Sequence, residues 1–161
     1  MMHGRRTPAL SSLMLLCMLL PGPVTVFAGD YKEYRCAPDV KYECTRNQCE
    51  ETADDFQQAE SFGFNSKTGE LSACLWTNCY AARAAVFRDT ASETFTAMAR
   101  LVPKAHPGNE PIIVSLTVDA GDPGPIRDTM DRKTRSFTAV WGYGSKGLSL
   151  DMGRCQLEKL P

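Results

Sequence analysis

Histidine is the usual base of nucleophilic catalytic devices, and this sequence of 161 residues has only two, His3 and His106. A Ser-His-Asp or Cys-His device needs such a histidine beside its nucleophile. His3 lies in the N-terminal segment that is assigned to export below. His106 lies between Ala105 and Pro107 in a proline-rich stretch, where a single histidine is more often simply exposed. The sequence therefore predicts no catalytic residue.

Carboxylates are the next candidates for chemistry, because paired acids hydrolyse glycosides and grouped acids bind calcium. The acidic residues that could act together form two groups: Glu50, Glu51, Asp54 and Asp55 in one, and Asp119, Asp122 and Asp128 in the other. A solvated acidic face explains the first group, and turn chemistry explains the second. The calcium-loop pattern and the glycine-rich nucleotide motifs are missing from the sequence. We therefore predict neither a metal site nor a cofactor.

The first 28 residues predict a secretory signal peptide. Arg5 and Arg6 precede an uncharged apolar run over residues 9–20, and the small residue Ala28 suits a signal-peptidase site. The run is too short to cross about 30 Å of hydrocarbon. We expect cleavage after Ala28, one domain over residues 29–161, a periplasmic or secreted location, and no membrane span in the mature form.

Cysteine usage agrees with export. After removal of the signal peptide six of the seven cysteines remain: Cys36, Cys44, Cys49, Cys74, Cys79 and Cys155. An even number in an exported chain predicts three disulfides, with fifteen possible connectivities. Zinc is the alternative, but the spacing lacks the C-x2-C pair of zinc sites. Cys74 and Cys79 can pair only if the chain reverses between them, and Cys155 must reach back to an earlier segment.

The overall charge excludes one class of partner. Eighteen basic residues stand against nineteen acidic ones, for a net charge of −1, whereas a nucleic-acid-binding domain is strongly basic. A hydrophobic content of 43% also argues against a wholly disordered chain.

Alternation of apolar and polar residues predicts strands in the C-terminal half. The alternating sets are Ile112, Val114, Leu116 and Val118, then Phe137, Ala139, Trp141 and Tyr143, and finally Leu148, Leu150 and Met152. Glycine- and proline-rich stretches at 103–111, 120–125 and 144–147 separate them. We expect a mainly β fold, an antiparallel sandwich or small barrel, in which the apolar sets of the last two strands face the same core.

The N-terminal half gives weaker signals. Residues 47–60 have a helix-like spacing of apolar positions with acidic residues first, and we expect a short helix there. Residues 29–34 predict a short edge strand, and residues 71–76 a second strand. Residues 80–88 are rich in alanine and fit helix or strand, and we favour strand because clear strands follow.

Trp141 and Tyr143 are candidate binding residues. Beside Gly142 and Gly144, the two rings could form an aromatic platform for a ligand, although aromatic residues on an alternating strand more often pack in the core.

The closing hairpin carries a family resemblance. Residues 141–147 (WGYGSKG), followed by Leu148, Leu150 and the Gly153-Arg154-Cys155 sequence, are similar to the last hairpin of the C-type lysozyme inhibitor family. The resemblance implies a periplasmic β-barrel that plugs a lysozyme cleft, with Lys146 as a binding residue. As a whole, residues 29–161 resemble small cysteine-containing exported proteins of Gram-negative bacteria, which implies no activity.

Two classes of function remain. The first is an exported, non-enzymatic binding or inhibitor-like module that displays loops such as 104–110 and 121–126 to a protein or a cell-envelope ligand. The alternative is a small periplasmic hydrolase or metal-binding protein that uses a carboxylate cluster.

Overall fold

The described part of the chain forms ten antiparallel strands. The computed structural model describes residues 31–52, 58–76, 78–106, 108–121, 134–143 and 147–159, and these residues contain no helix. The strands are β1 (Lys32–Cys44), β2 (Cys49–Glu51), β3 (Ala59–Asn65), β4 (Glu70–Leu75), β5 (Asn78–Arg83), β6 (Ala85–Asp89), β7 (Thr94–Pro103), β8 (Ile112–Asp119), β9 (Thr134–Gly142) and β10 (Leu148–Lys159).

Eight of the strands close into a barrel. The order around the ring is β1, β3, β4, β5, β7, β8, β9 and β10, and β10 pairs with β1 over the whole length of β1. The two short strands extend the ring locally, since β2 pairs with the end of β1 and β6 pairs with the first half of β7. Closure removes the unpaired strand edges that an open sheet would expose.

The interior of the barrel is filled with side chains. Every ring strand contributes to one buried cluster through alternate residues, as in β8, where Ile112, Val114, Leu116 and Val118 are fully buried. Aromatic rings fill the middle, with the centroid of Phe95 4.9 Å from that of Tyr34 and 5.2 Å from that of Phe64. An eight-stranded barrel is just wide enough for such a packed core.

The predicted fold class is confirmed as a mainly β, antiparallel, disulfide-stabilised barrel. The strands predicted over 71–76 and 80–88 correspond to β4 and to β5 with β6, which are separated at Ala84. The predicted edge strand at 29–34 is corrected, because β1 runs on to Cys44 and pairs on both sides.

The short helix predicted over residues 47–60 is wrong for the part of that segment that the structure describes. Residues 49–51 form β2, and β3 begins at Ala59. The physical reason is the disulfide between Cys44 and Cys49, which joins directly opposed residues of a tight β1–β2 hairpin. Residues 53–57 lie outside the described residues.

The predicted orientation of the last strand is also wrong. Leu148 and Met152 are on the outer surface, 51% and 36% exposed, whereas Asp151 and Cys155 are buried. Two constraints override hydrophobicity here. Cys155 must meet Cys36 inside the barrel, and Asp151 accepts a hydrogen bond from the buried Trp141. Because side chains alternate, these inward residues send the apolar ones outward.

All six predicted cysteines form disulfides, as three bridges between directly opposed residues of paired strands. Cys74 and Cys79 bridge the β4–β5 hairpin, so the chain does reverse between them. Cys36 and Cys155 join β1 to β10 at the closure of the ring, which confirms that Cys155 reaches back to an earlier segment.

Several predicted features lie outside the described residues: the signal peptide (1–28), Asp54, Asp55, Asp122, Asp128, Lys146 and most of the loop 121–126. Where the chain is described, no helix has the length and apolar character that crossing a membrane requires.

Candidate binding cleft

The strand register places the functional candidates at one end of the barrel. Gly142 at the end of β9 pairs with Ile113 near the start of β8, and Leu101 at the end of β7 pairs with Ile112. The loop 104–110 and the connection from β9 to β10 therefore emerge at the same end, whereas Gly121 follows β8 at the opposite end. Gly121, the described residue of the second loop proposed for ligand display, therefore lies at the end opposite to the loop 104–110.

A cleft of about 130 Å³ opens at this first end. Its lining comes from the end of β1, from the segment around Thr52 and Gln58, and from the hairpin of β9 and β10. Most of this lining thus belongs to strand ends that the barrel fixes by long ladders, whereas Thr52 and Gln58 lie between β2 and β3.

Asp151 and Trp141 form the floor of the cleft. The indole Nε1 of Trp141 donates a 2.8 Å hydrogen bond to Oδ2 of Asp151, and the two residues are only 3% and 1% exposed. Burial raises the pKa of Asp151 to about 6, although the Trp141 hydrogen bond and the charge of Lys41 act in the opposite direction. A buried carboxyl with a raised pKa in a cleft is a feature typical of functional sites.

Lys41 and Tyr143 face the same cleft from either side. Lys41 lies directly opposite Asp151 in the β1–β10 ladder. The ring of Tyr143 stands edge-on to Trp141, with centroids 6.1 Å apart and planes at 72°. Burial raises the pKa of Tyr143, and its side-chain hydrogen bond with Tyr80 raises it further. Tyr143 therefore links the end of β9 to β5 across the mouth of the barrel.

Gln58 and Thr52 complete the wall beside β1. The amide nitrogen of Gln58 donates to the hydroxyl of Thr52, while its Oε1 is buried and has no hydrogen-bond partner within the described residues. A buried acceptor without a donor is unfavourable, so this oxygen would gain from an N–H or O–H group brought into the cleft.

At the rim of the cleft, the end of β9 lies very close to the backbone just before β10. A Cβ on Gly142 would lie 2.5 Å from the carbonyl oxygen of Gly147 and 3.5 Å from a methyl of Leu148. Only glycine at position 142 allows Gly147 and Leu148 to approach the end of β9 so closely. Gly147 itself has a φ of 126°, a conformation that favours glycine.

The other sequence candidates do not gather into a site. His106 is exposed in the loop after β7, Glu50 and Glu51 are exposed on β2, and Asp119 is exposed at the end of β8. Across the described ranges no three His, Cys, Asp or Glu residues are placed to hold a metal ion. Trp141 is both a core residue and part of the cleft, and Tyr143 packs partly against the core.

Sequence reasoning missed Asp151 and Gln58. A usable signal for Asp151 exists, since a buried indole N–H needs an acceptor and Asp151 lies on the strand after Trp141. No comparable signal marks Gln58.

Comparison with protein-family models, with curated proteins and with solved structures finds no match to this chain.

Proposed function

We propose that this protein is an exported, non-enzymatic binding module that recognises its partner with the end of the barrel that holds the cleft. The observation that carries the proposal is the cleft itself, an opening of about 130 Å³ with the Trp141–Asp151 pair at its floor. Sites for whole small molecules are roughly 300–1,000 Å³, whereas a cavity near 150 Å³ holds one benzene-sized group. The cleft suits a single group that projects from a larger partner.

Export is supported by two independent features. The N-terminal 28 residues have the composition of a secretory signal peptide. The three disulfides suit an oxidising compartment, because cytosolic thiols are kept reduced. We place the protein in the periplasm or the medium.

An inhibitor-like mode is the specific form that the sequence suggests. The segment that contains Lys146 lies between Gly142 and Gly147 in the sequence, and both of these glycines line the cleft. The described residues on either side of Lys146 therefore belong to the proposed recognition surface. With the resemblance of residues 141–155 to the closing hairpin of C-type lysozyme inhibitors, this makes a lysozyme the first partner to test.

The first experiment measures turnover of a C-type lysozyme in the presence of the purified, oxidised protein. We expect saturable inhibition that Lys146→Ala weakens and Lys67→Ala does not, because Lys67 is an exposed turn lysine at the opposite end. Thermal melting should be unchanged in both variants. Absence of inhibition by the wild type would exclude the lysozyme-directed mode.

The second experiment tests the binding module without assuming its partner. A photo-crosslinking amino acid at position 148, on the rim, should give a discrete adduct in the exported fraction of cells, whereas one at position 67 should not. Adducts of equal yield from both positions, or from neither, would contradict the assignment of this end as the recognition surface.

One observation favours the alternative of a small hydrolase. Asp151 is a buried carboxyl with a pKa near 6, which suits a general acid, and the exposed Glu43 also lines the cleft. A screen of glycoside and ester substrates tests this. Turnover that Asp151→Asn abolishes would replace the binding proposal with a catalytic one.

A further inference from the structure

Two buried acceptors in the cleft have hydrogen-bonding capacity left over. The Asp151 carboxylate has one hydrogen bond, from Trp141, and the buried Oε1 of Gln58 has none within the described residues. The Trp141 N–H is already used by Asp151. A group that satisfies both acceptors must therefore bring N–H or O–H donors.

The charges that line the cleft and the volume of the cleft restrict which chemical group can bind there. Among the described residues that line the cleft, Asp151 and Glu43 are acidic and Lys41 is the one cation. The occupant should therefore be positive. It must also be about the size of a benzene ring to fill 130 Å³.

The aromatic rings that line the cleft favour one kind of cation. Trp141 and Tyr143 present rings at 72° to each other beside the carboxyl. A guanidinium is planar, stacks on aromatic rings, is weakly hydrated and carries five donors in a fork that matches a carboxylate. An ammonium is compact and strongly hydrated, so it loses more on entering a buried site.

We infer that the cleft binds the guanidinium group of an arginine side chain presented by a protein partner, with Asp151 and Gln58 as the acceptors. The inference rests on the proposed function, which makes this end of the barrel the recognition surface.

Trp141 provides the readout. The protein has two tryptophans, and Trp76 is 62% exposed, so Trp76→Phe leaves the fluorescence of Trp141 as the signal from the cleft. The probe is N-acetyl-arginine amide, and its matched control is N-acetyl-citrulline amide, which has nearly the same shape without the charge. We expect a saturable change with the arginine probe and at least about tenfold weaker binding of the citrulline probe, because charge-assisted hydrogen bonds are the stronger ones.

Substitution of Asp151 tests whether its carboxylate binds the arginine probe. Asp151→Asn should weaken the arginine probe at least about tenfold, whereas Asp39→Asn, an exposed partner of Arg154 outside the cleft, should change it less than about twofold. Equal binding of the two probes, no saturable signal with the arginine probe, or an unchanged affinity in Asp151→Asn would overturn the inference.

The pH dependence gives a further check. Lys41, Tyr42 and Glu43 from β1 and Tyr143 after β9 are the other titratable groups among the described residues that line the cleft. With a pKa near 6 for Asp151, affinity should fall about tenfold between pH 7.5 and pH 5 as the carboxyl gains its proton. This fall should persist in Glu43→Gln and vanish in Asp151→Asn, and the reverse result would contradict the assignment.

A peptide probe tests whether the cleft takes its guanidinium group from a protein or from a free small molecule. Acetyl-Gly-Arg-Gly amide should bind at least as tightly as the free arginine amide if a protein presents the group. Binding of the free amide alone would reject a protein-borne arginine. Failure of the position-148 crosslink with intact probe binding would instead reject the proposed function and keep the cation site.

Discussion

Trp141 and Asp151 lie on the adjacent strands β9 and β10, and each satisfies a buried polar group of the other. The indole donates to Oδ2 at 2.8 Å, and neither residue is more than 3% exposed. The ladder pairs Trp141 with Ser149 and Asp151 with Ala139, so the bond runs diagonally along the inner face. This hydrogen bond therefore fixes the register of β9 against β10, and its two residues form the floor of the cleft.

Loss of the indole should be costly. Trp141→Ala removes a large buried aromatic, and we expect the free energy of unfolding to fall by about 3–5 kcal/mol. Trp141→Phe keeps most of the ring but leaves Asp151 without its donor, and should cost about 1–3 kcal/mol. Denaturant midpoints measure both. A neutral Trp141→Ala would mean that the ring does not pack, and would favour the aromatic-platform interpretation.

Ionisation of Asp151 should lower the free energy of unfolding as the pH rises from about 4 to about 6. The pKa is about 6 in the folded protein against 3.8 as the ordinary value. Below about pH 4 the carboxyl is neutral in both states. Between these values the unfolded chain loses its proton first, so the free energy of unfolding decreases, by on the order of 3 kcal/mol once the pH exceeds the folded pKa.

Asp151→Asn removes this dependence. At pH 7.5 the variant should have a higher denaturant midpoint than the wild type, and at pH 4 the two midpoints should converge. Asn retains an acceptor for Trp141, so the hydrogen bond can persist. Asp39→Asn, at an exposed ion pair with Arg154, should shift the midpoint little at either pH. A lower midpoint for Asp151→Asn at pH 7.5 would show that the carboxylate stabilises the fold.

Whether the sequence alone predicts the inward face of a strand depends on which interactions determine that face. In β8 the apolar alternation alone is sufficient, since all four predicted core residues are buried. In β10 hydrophobicity misleads, because the position of Asp151 depends on a donor in another strand and that of Cys155 on a partner 119 residues away. β1 carries a proline and little alternation, and long-range pairing with β10 defines it. The same holds for the cleft: the sequence shows Trp141 and the need of a buried indole for an acceptor, but the strand register decides that Asp151 fills that role.

Gly153 should not tolerate a side chain. A Cβ there would overlap the carbonyl oxygen of Ala37 and lie 2.8 Å from the Asp39 nitrogen, where β1 bulges between Pro38 and Val40. These atoms belong to the backbone and cannot move aside cheaply, so Gly153→Ala should cost about 1–3 kcal/mol or more. Gly108→Ala is the matched control, because nothing lies within 4 Å of its Cβ position. Equal melting temperatures of the two variants would contradict the tight β1–β10 contact.

The three disulfides should contribute unequally to stability. Apart from Cys17 in the predicted signal peptide, every cysteine is bridged, so denatured and unreduced mature protein should take up no thiol reagent. In the chain-entropy description a bridge stabilises more when it closes a longer loop. Cys36 and Cys155 are separated by 119 residues, whereas Cys74 and Cys79 are separated by five.

Replacing both cysteines of a pair by alanine avoids free thiols. On this basis the Cys36–Cys155 replacement should cost about 5 kcal/mol and the Cys74–Cys79 replacement about 2 kcal/mol. Burial acts in the same direction, since Cys36 and Cys155 are core residues at the closure of the barrel. Denaturant unfolding of the two double variants at one pH measures the difference. Equal losses would mean that the β1–β10 ladder closes the barrel without help from its disulfide, and uptake of two or more labels by the wild type would reject the three-bridge arrangement.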